Sequence, residues 1–232
     1  YYCDCTPEDL EARRRRALSE GRKPKYDGRC RDRGLGPGPG RVVRFRAPDA
    51  GQTVLCDLIK GTIVFENAEL DDLVLERSDG IPTYNFAVVV DDITMGVNTV
   101  IRGDDHVMNT PKQILLYRAF GWEMPAFVHL PLITGPDHKP LHKRHGAGSL
   151  DDLFQQGFLP EAVVNFLALL GWSSPTAQEI LTRSDLIEQF TIDRITKSPA
   201  IFDFQKLTWL NGKHLRSLIA RNTQSQQGEP AL

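Results

Sequence analysis

The feature that most constrains this chain is a strand, a polar loop and a helix in immediate succession. Residues 97–102 (Val-Asn-Thr-Val-Ile-Arg) read as a strand, and residues 103–106 (Gly-Asp-Asp-His) make a polar loop at its carboxyl end. Residues 109–113 (Asn-Thr-Pro-Lys-Gln) then open a helix that runs to Phe120 and stops at Gly121. This is the repeating unit of α/β architecture, in which ligands gather outside the carboxyl ends of the strands. A second strand, near residues 128–133, delivers a loop over residues 135–147 where Lys139, His142, Lys143, Arg144 and His145 crowd together. A cluster of cations on a glycine- and proline-punctuated loop suits contact with several negative charges at once, as on a triphosphate. The plainer alternative is a solvated basic turn. Polar loops after neighbouring strands can converge on one ligand.

Ahead of this unit lie short, β-branched, turn-bounded runs at residues 41–45, 53–59, 61–65 and 73–77, expected as antiparallel strands. Residues 83–90, ending at the acid pair Asp91-Asp92, read as a short helix or a buried strand. From Ser149 onward the pattern is helical. Residues 159–171 carry Pro160 inside the start and Gly171 past the end. Further helices are expected at residues 184–190 and 203–210, forming a helical subdomain packed on the sheet, with Trp209 in its core.

The amino-terminal 33 residues read as a small metal-organised module. Cys3 and Cys5 form a C-x-C pair, and Thr6-Pro7-Glu8-Asp9 supplies an N-cap, a proline at the first helical position and acids in the first turn. After a helix ending near Gly21, Cys30 brings back a third thiol. Zinc takes four N, O or S ligands in a tetrahedron. The fourth ligand is Asp32, as C-x-D, or alternatively Tyr26, as Y-x3-C; the plainer alternative is three reduced cysteines without metal. Residues 34–40, Gly-Leu-Gly-Pro-Gly-Pro-Gly, form a linker.

The 232 residues are enough for one large domain or two small ones, and the formal net charge of −2 gives no global nucleic-acid signal. The charge is local: Arg13 to Arg16 with Arg22, Lys23, Lys25, Arg29, Arg31 and Arg33 make the amino-terminal end basic. No run of about 18 apolar residues exists, so no membrane partner is expected. Four cysteines without a secretory pattern indicate a reducing, cytoplasmic setting. A start at Tyr1 and a polar tail suggest a fragment.

Residues 84–92, 95–96, 100–106 and 109–117 together resemble bacterial glutamyl-tRNA synthetase, a class I aminoacyl-tRNA synthetase. So do residues 129–133, 143–146, 157–161 and 202–212, and the C-x-C…Y-x-G-R-C-R pattern is similar to the family's zinc-bearing acceptor-stem insertion. The resemblance implies part of an α/β, Rossmann-like catalytic domain with a zinc-bearing insertion containing strands, followed by an α-helical stem-contact region. On that reading the domains are residues 1–80 for the insertion, with the zinc module in 1–33; 81–148 for the second catalytic half; and 149–232 for the helical region and the start of an anticodon-binding part.

The resemblance further implies glutamate, ATP with Mg and the acceptor end of tRNA(Glu) as partners, a structural zinc, and a monomer. Tyr84 and Arg102 would meet glutamate, since an arginine at a strand end is a bidentate partner for a carboxylate. Without the resemblance, Arg102 reads as a surface ion pair and Tyr84 as a core tyrosine. Gly103, Asp104, Asp105 and His106 would bind ATP. Pro140, Leu141, His142, Lys143 and Arg144 match the family's second signature loop, with Lys143 and Arg144 as the catalytic cations and Lys143 also on ATP. That loop departs from the usual K-[LM]-S-K-[RS] by Pro140 and His142, with Lys139 a replacement cation one position earlier. Asp104 stands where the family has Glu.

An H-x-G-H signature is missing from the chain, so the chain alone is expected not to catalyse. The readings carried beside the ligase are a glutamyl-queuosine-tRNA(Asp) synthetase and a non-catalytic tRNA-binding paralogue. A zinc-dependent DNA reader built on residues 1–33 explains nothing after residue 40.

Overall fold

Strict alternation decides the sheet of the first half. In the computed structural model, which describes residues 1–139, 141 and 149–227 with side chains through residue 223, strand β3 (Gln52–Asp57) buries Thr53, Leu55 and Asp57 and exposes the residues between them. It pairs antiparallel with β4 (Gly61–Glu66), in register from Gln52 opposite Glu66 to Asp57 opposite Gly61. Asp57 closes the hairpin, its Oδ1 accepting the backbone N–H groups of Ile59 and Lys60 at 2.9 and 2.8 Å.

The chain divides into two compact units, residues 1–128 and 129–232. In the first, β3 and β4 join β6 (Thr99–Gly103) and β7 (Ala126–Leu130) in one sheet of order β4-β3-β7-β6, with β3 and β7 parallel. Residues 52–66 therefore belong to the same sheet as the strand–loop–helix unit. Helices α2 (Tyr84–Thr94) and α3 (Thr110–Phe120) supply the other wall of a core built on Leu55, Val89, Ile114, Leu116, Tyr117 and Phe127. The ambiguous run at 83–90 is a helix. It continues past Asp91 and Asp92, because Phe86, Val89 and Ile93 recur at helical spacing on the core side. Pro111 lies in the first turn of α3, and Gly121 ends it in the left-handed conformation at φ 68°.

A second, three-stranded antiparallel sheet has β2 (Val42–Arg44) between β1 (Tyr2–Cys3) and β5 (Val74–Glu76). Helix α1 (Pro7–Ser19) begins at Thr6, whose side chain and that of Asp9 form a reciprocal capping box.

The second unit is helical, with α4 (Leu150–Gln155), α5 (Pro160–Leu169), α6 (Arg183–Gln189) and α7 (Phe204–Gln227). A short parallel pair, β8 (Ile133–Thr134) and β9 (Ala200–Ile201), accompanies them. The expected strand at 128–133 is interrupted: β7 ends at Leu130 and β8 starts at Ile133, around Pro131, which has no N–H to give a ladder. Leu153, Phe158, Val163, Phe166, Phe202, Leu207 and Leu210 form the core, and Trp172, Leu181 and Leu186 a satellite cluster. Trp209 is not in that core. It is 41% exposed, with Lys213 Nζ 5.5 Å from its ring centroid. The buried stripe of α7 is Leu207, Leu210 and His214, and Trp209 falls off that face by helical geometry. Among the described residues no helix is long and apolar enough to cross a membrane.

Candidate functional site

β6 ends at Arg102 and Gly103, and the chain turns there through a 3-10 segment, Asp104–Asn109, into α3. Arg102 is half-buried, and its Nη2 donates to Thr110 Oγ1 at 2.9 Å and to Gln113 Oε1 at 2.8 Å, both on the first turn of α3. Gln113 Nε2 donates in turn to Asn85 Oδ1 at 3.0 Å, beside Tyr84 at the start of α2. A continuous hydrogen-bonded chain thus ties β6, α3 and α2 together at the sheet end. Tyr84 is 51% exposed and its ring centroid lies 5.9 Å from that of His106. The structure therefore brings Tyr84, Arg102 and His106 to one sheet end, with the two rings beside each other and the cation held by its partners on α3.

The polar loop after β6 is held from below. Lys60, on the β3–β4 hairpin, pairs with Asp104 at 2.7 Å, both side chains largely buried. Asp105 is exposed, with an oxygen 3.8 Å from His106 Nε2, while Asn109 Nδ2 donates to His106 Nδ1 at 3.2 Å. Burial pushes the Asp92 carboxyl above its ordinary range, a rise offset in part by a hydrogen bond from Tyr117 and by the charge of Arg102. Lys60, Thr110 and Gln113 escaped the sequence reading. Lys60 sits in an ordinary turn, and the spacing of Thr110 and Gln113, one helical turn apart at a helix start, was the signal available for the other two.

Of the basic loop, Pro140, His142, Lys143 and Arg144 lie outside the described residues. Leu141 packs half-buried on the core of the second unit, and its N–H donates to Ile133 O at 3.3 Å. The loop begins with a tight turn, Gly135 N–H donating to Lys139 O at 2.8 Å.

The three expected thiols do meet. The Sγ atoms of Cys3, Cys5 and Cys30 lie within 4.8 Å of one another, those of Cys5 and Cys30 at 3.8 Å. Sulfurs on one tetrahedral zinc are about 3.8 Å apart, from a Zn–S bond near 2.3 Å, so the cluster has the right size. The Tyr26 hydroxyl oxygen stands 3.4 Å from Cys3 Sγ and 3.8 Å from Cys5 Sγ, and it accepts the backbone N–H of Cys30 at 3.2 Å. Asp32 does not join them. Its carboxylate is 81% exposed and pairs with Arg46 at 3.1 Å. Burial pushes the Cys5 thiol up to about 11. At Cys3 burial acts the same way, but hydrogen bonds from Tyr26, the Cys5 backbone and Arg44 outweigh it and bring that thiol down to about 7. The environment thus shifts Cys3 toward the thiolate, the form that a metal ligand takes.

Residues 1–209 match the family described as tRNA synthetases class I (E and Q), catalytic domain. The glutamate–tRNA ligase of Syntrophobacter fumaroxidans is 63% identical over 216 residues, 93% of this chain and 46% of that protein. Glutamate–tRNA ligase 1 of Syntrophus aciditrophicus is 58% identical over 217 residues, 94% of this chain and 46% of that protein. The chain spans about half the length of the curated relatives it matches. A crystal structure of a glutamate tRNA ligase from Elizabethkingia meningosepticum, in complex with its amino acid, superposes with a TM-score of 0.82 at 29% identity, covering 100% of this chain and 54% of that one.

Proposed function

The chain belongs to the class I tRNA synthetases of the E and Q type, by their catalytic domain, and from that membership we propose that the protein attaches glutamate to tRNA(Glu) at the expense of ATP. In the first step a glutamate α-carboxylate oxygen attacks the α-phosphorus of ATP, supplied with Mg, and the bond to the β-phosphate breaks to release pyrophosphate. In the second, a ribose hydroxyl of the terminal adenosine of the tRNA attacks the glutamyl carbonyl and AMP leaves. The observation that carries the reading is Arg102, fixed at the sheet end by Thr110 and Gln113. A guanidinium of set orientation is the matched partner of a planar carboxylate.

Arg102 binds the side-chain carboxylate of glutamate, and Tyr84 packs against the same amino acid. Gly103 gives ATP a close backbone approach, while Asp104, Asp105 and His106 face its ribose; Asp104 is steadied for this by Lys60. Lys143 and Arg144 stabilise the charge that builds on the α-phosphate and the leaving pyrophosphate, an electrostatic contribution made in the transition state. Cys3, Cys5, Cys30 and the Tyr26 oxygen would hold a structural zinc, which would crosslink the amino-terminal module. The arginines of α1, with the zinc module, grip the phosphates at the acceptor end of the tRNA.

The test is glutamate-dependent ATP–pyrophosphate exchange by the full-length protein in the presence of tRNA, for the wild type and for Arg102→Ala. Loss of the guanidinium removes a charge-assisted bidentate bond, worth about 1.5–3 kcal/mol, so the KM for glutamate should rise about 10- to 100-fold. Retained tRNA binding without any exchange would replace the ligase by a tRNA-binding protein.

A further inference from the structure

We propose that Gln113 is a positioning residue that sets the carboxylate selectivity of Arg102, by holding its guanidinium through a neutral acceptor. The inference rests on the reading of Arg102 as the partner of the substrate's side-chain carboxylate.

Gln113 is 2% exposed and Thr110 is fully buried. Both place an oxygen on the same guanidinium nitrogen, Nη2, at 2.8 and 2.9 Å. That nitrogen carries two N–H groups, and each receives an acceptor. With one corner of a planar group saturated, the plane of the whole guanidinium is set, and with it the edge that a bidentate carboxylate must match. The orientation of the Gln113 amide is itself determined. Arginine only donates, so Oε1 must face Arg102, and Nε2 donates to Asn85 Oδ1 at 3.0 Å.

At this buried place a glutamate side chain would have nearly the same shape and would bind arginine more strongly, as an ion pair. The chain carries an amide there. A carboxylate at 113 would draw on the guanidinium charge from the protein side, and the same carboxylate would face Asn85 Oδ1 acceptor to acceptor. An amide orients Arg102 without adding a second protein carboxylate to Asp92, whose charge already interacts with it, and the charge is what separates an acidic substrate side chain from its amide counterpart. Gln113 thus acts through Arg102, and its identity bears on which amino acid binds more than on how fast the bound one reacts.

The experiment is ATP–pyrophosphate exchange by the full-length protein with tRNA, using glutamate and glutamine as substrates, for the wild type, Gln113→Glu, Gln113→Met and Arg102→Ala. Gln113→Glu should raise the KM for glutamate about 10-fold or more, leave the KM for ATP within about twofold, and narrow the preference for glutamate over glutamine. Gln113→Met keeps the volume and loses the acceptor; it should raise the glutamate KM several-fold while leaving the glutamine KM, the KM for ATP and kcat within about twofold, so that the preference for glutamate falls, and it carries the test should Gln113→Glu fail to fold. A merely structural role would change kcat or both KM values together without moving the glutamate-to-glutamine ratio. If Arg102→Ala raises the glutamate KM while both Gln113 variants behave as the wild type, the inference about Gln113 is overturned and the reading of Arg102 stands. If Arg102→Ala leaves the glutamate KM unchanged, the reading of Arg102 itself falls.

Discussion

Asp72 receives Arg31 through Nε and Nη2 at 2.6 and 2.5 Å, the Ala47 N–H at 2.9 Å and the Tyr1 hydroxyl, with its own side chain 1% exposed. Burial by itself raises the pKa of such a carboxyl, but the Arg31 guanidinium, with Tyr1 and the Ala47 N–H, outweighs it and holds Asp72 below the usual carboxylate range. A pKa lowered by folding means stability that is complete above the unfolded value, near 3.9, and lost as pH falls through the lower folded value. Asp72→Asn should cost about 1.5–3 kcal/mol at neutral pH, because the buried charge-assisted bonds from Arg31 are lost while Asp49, at 2.6 Å from Nη1, remains its other carboxylate partner. In urea unfolding followed from pH 7 to pH 3, the gap between wild type and variant should shrink on acidification below about pH 4; a constant gap would mean that the carboxylate's charge is not what matters. In the sequence Asp71-Asp72 is an unremarkable acid pair. Arg31 lies 41 positions away, and no local pattern links the two. Arg102 differs: a cation at a strand end was legible, whereas its neutral partners on α3 were not.

Helix starts are written locally. Thr6, Ser149 and Thr182 each accept the N3 N–H, and Asp9, Asp152 and Asp185 reach back to the N-cap N–H, forming reciprocal capping boxes. In α1 this matters more than elsewhere, because Ala17 is its buried residue and the Arg13–Arg16 run contributes little apolar surface. Its further supports lie at the surface: Arg16 pairs with Glu20 across one turn at 2.9 Å, and Arg13 pairs with Asp27. Thr6→Ala should therefore destabilise the helix by about 1 kcal/mol. Hydrogen exchange should show this as faster exchange of the α1 amides, with those of α3 unaffected; unchanged α1 protection would mean that α1 is held by packing. At this scale the sequence served well where glycine, proline or a cap punctuates, as at Gly121 and Pro160. It left α2 ambiguous, since residues 86–90 are unbroken apolar, and only the core around Val89 chose the helix.

For the molecule as a whole, the amino-terminal module has few apolar anchors, so a metal held by the proposed ligands would contribute heavily to its order. Purified protein should contain one zinc per chain. Tyr26→Phe should weaken zinc about 10- to 100-fold in chelator competition, the range seen when a supporting ligand is lost, while Asp32→Asn should leave it unchanged; cobalt substitution would report the thiolates by their charge-transfer absorption. The opposite ranking of the two variants would restore Asp32 as the fourth ligand. The strand–loop–helix unit, the helix ends, the thiol spacing and the strand-end arginine were determined by the sequence alone, because each depends on backbone geometry or side-chain reach within a few residues. Tertiary structure decided the partnerships: Tyr26 rather than Asp32 beside the thiols, Lys60 under Asp104 across 44 positions, Gln113 behind Arg102, and β3–β4 in the sheet of β7. Many residues of the right chemistry compete for each such role along the chain, and burial selects the few that packing brings within hydrogen-bond distance.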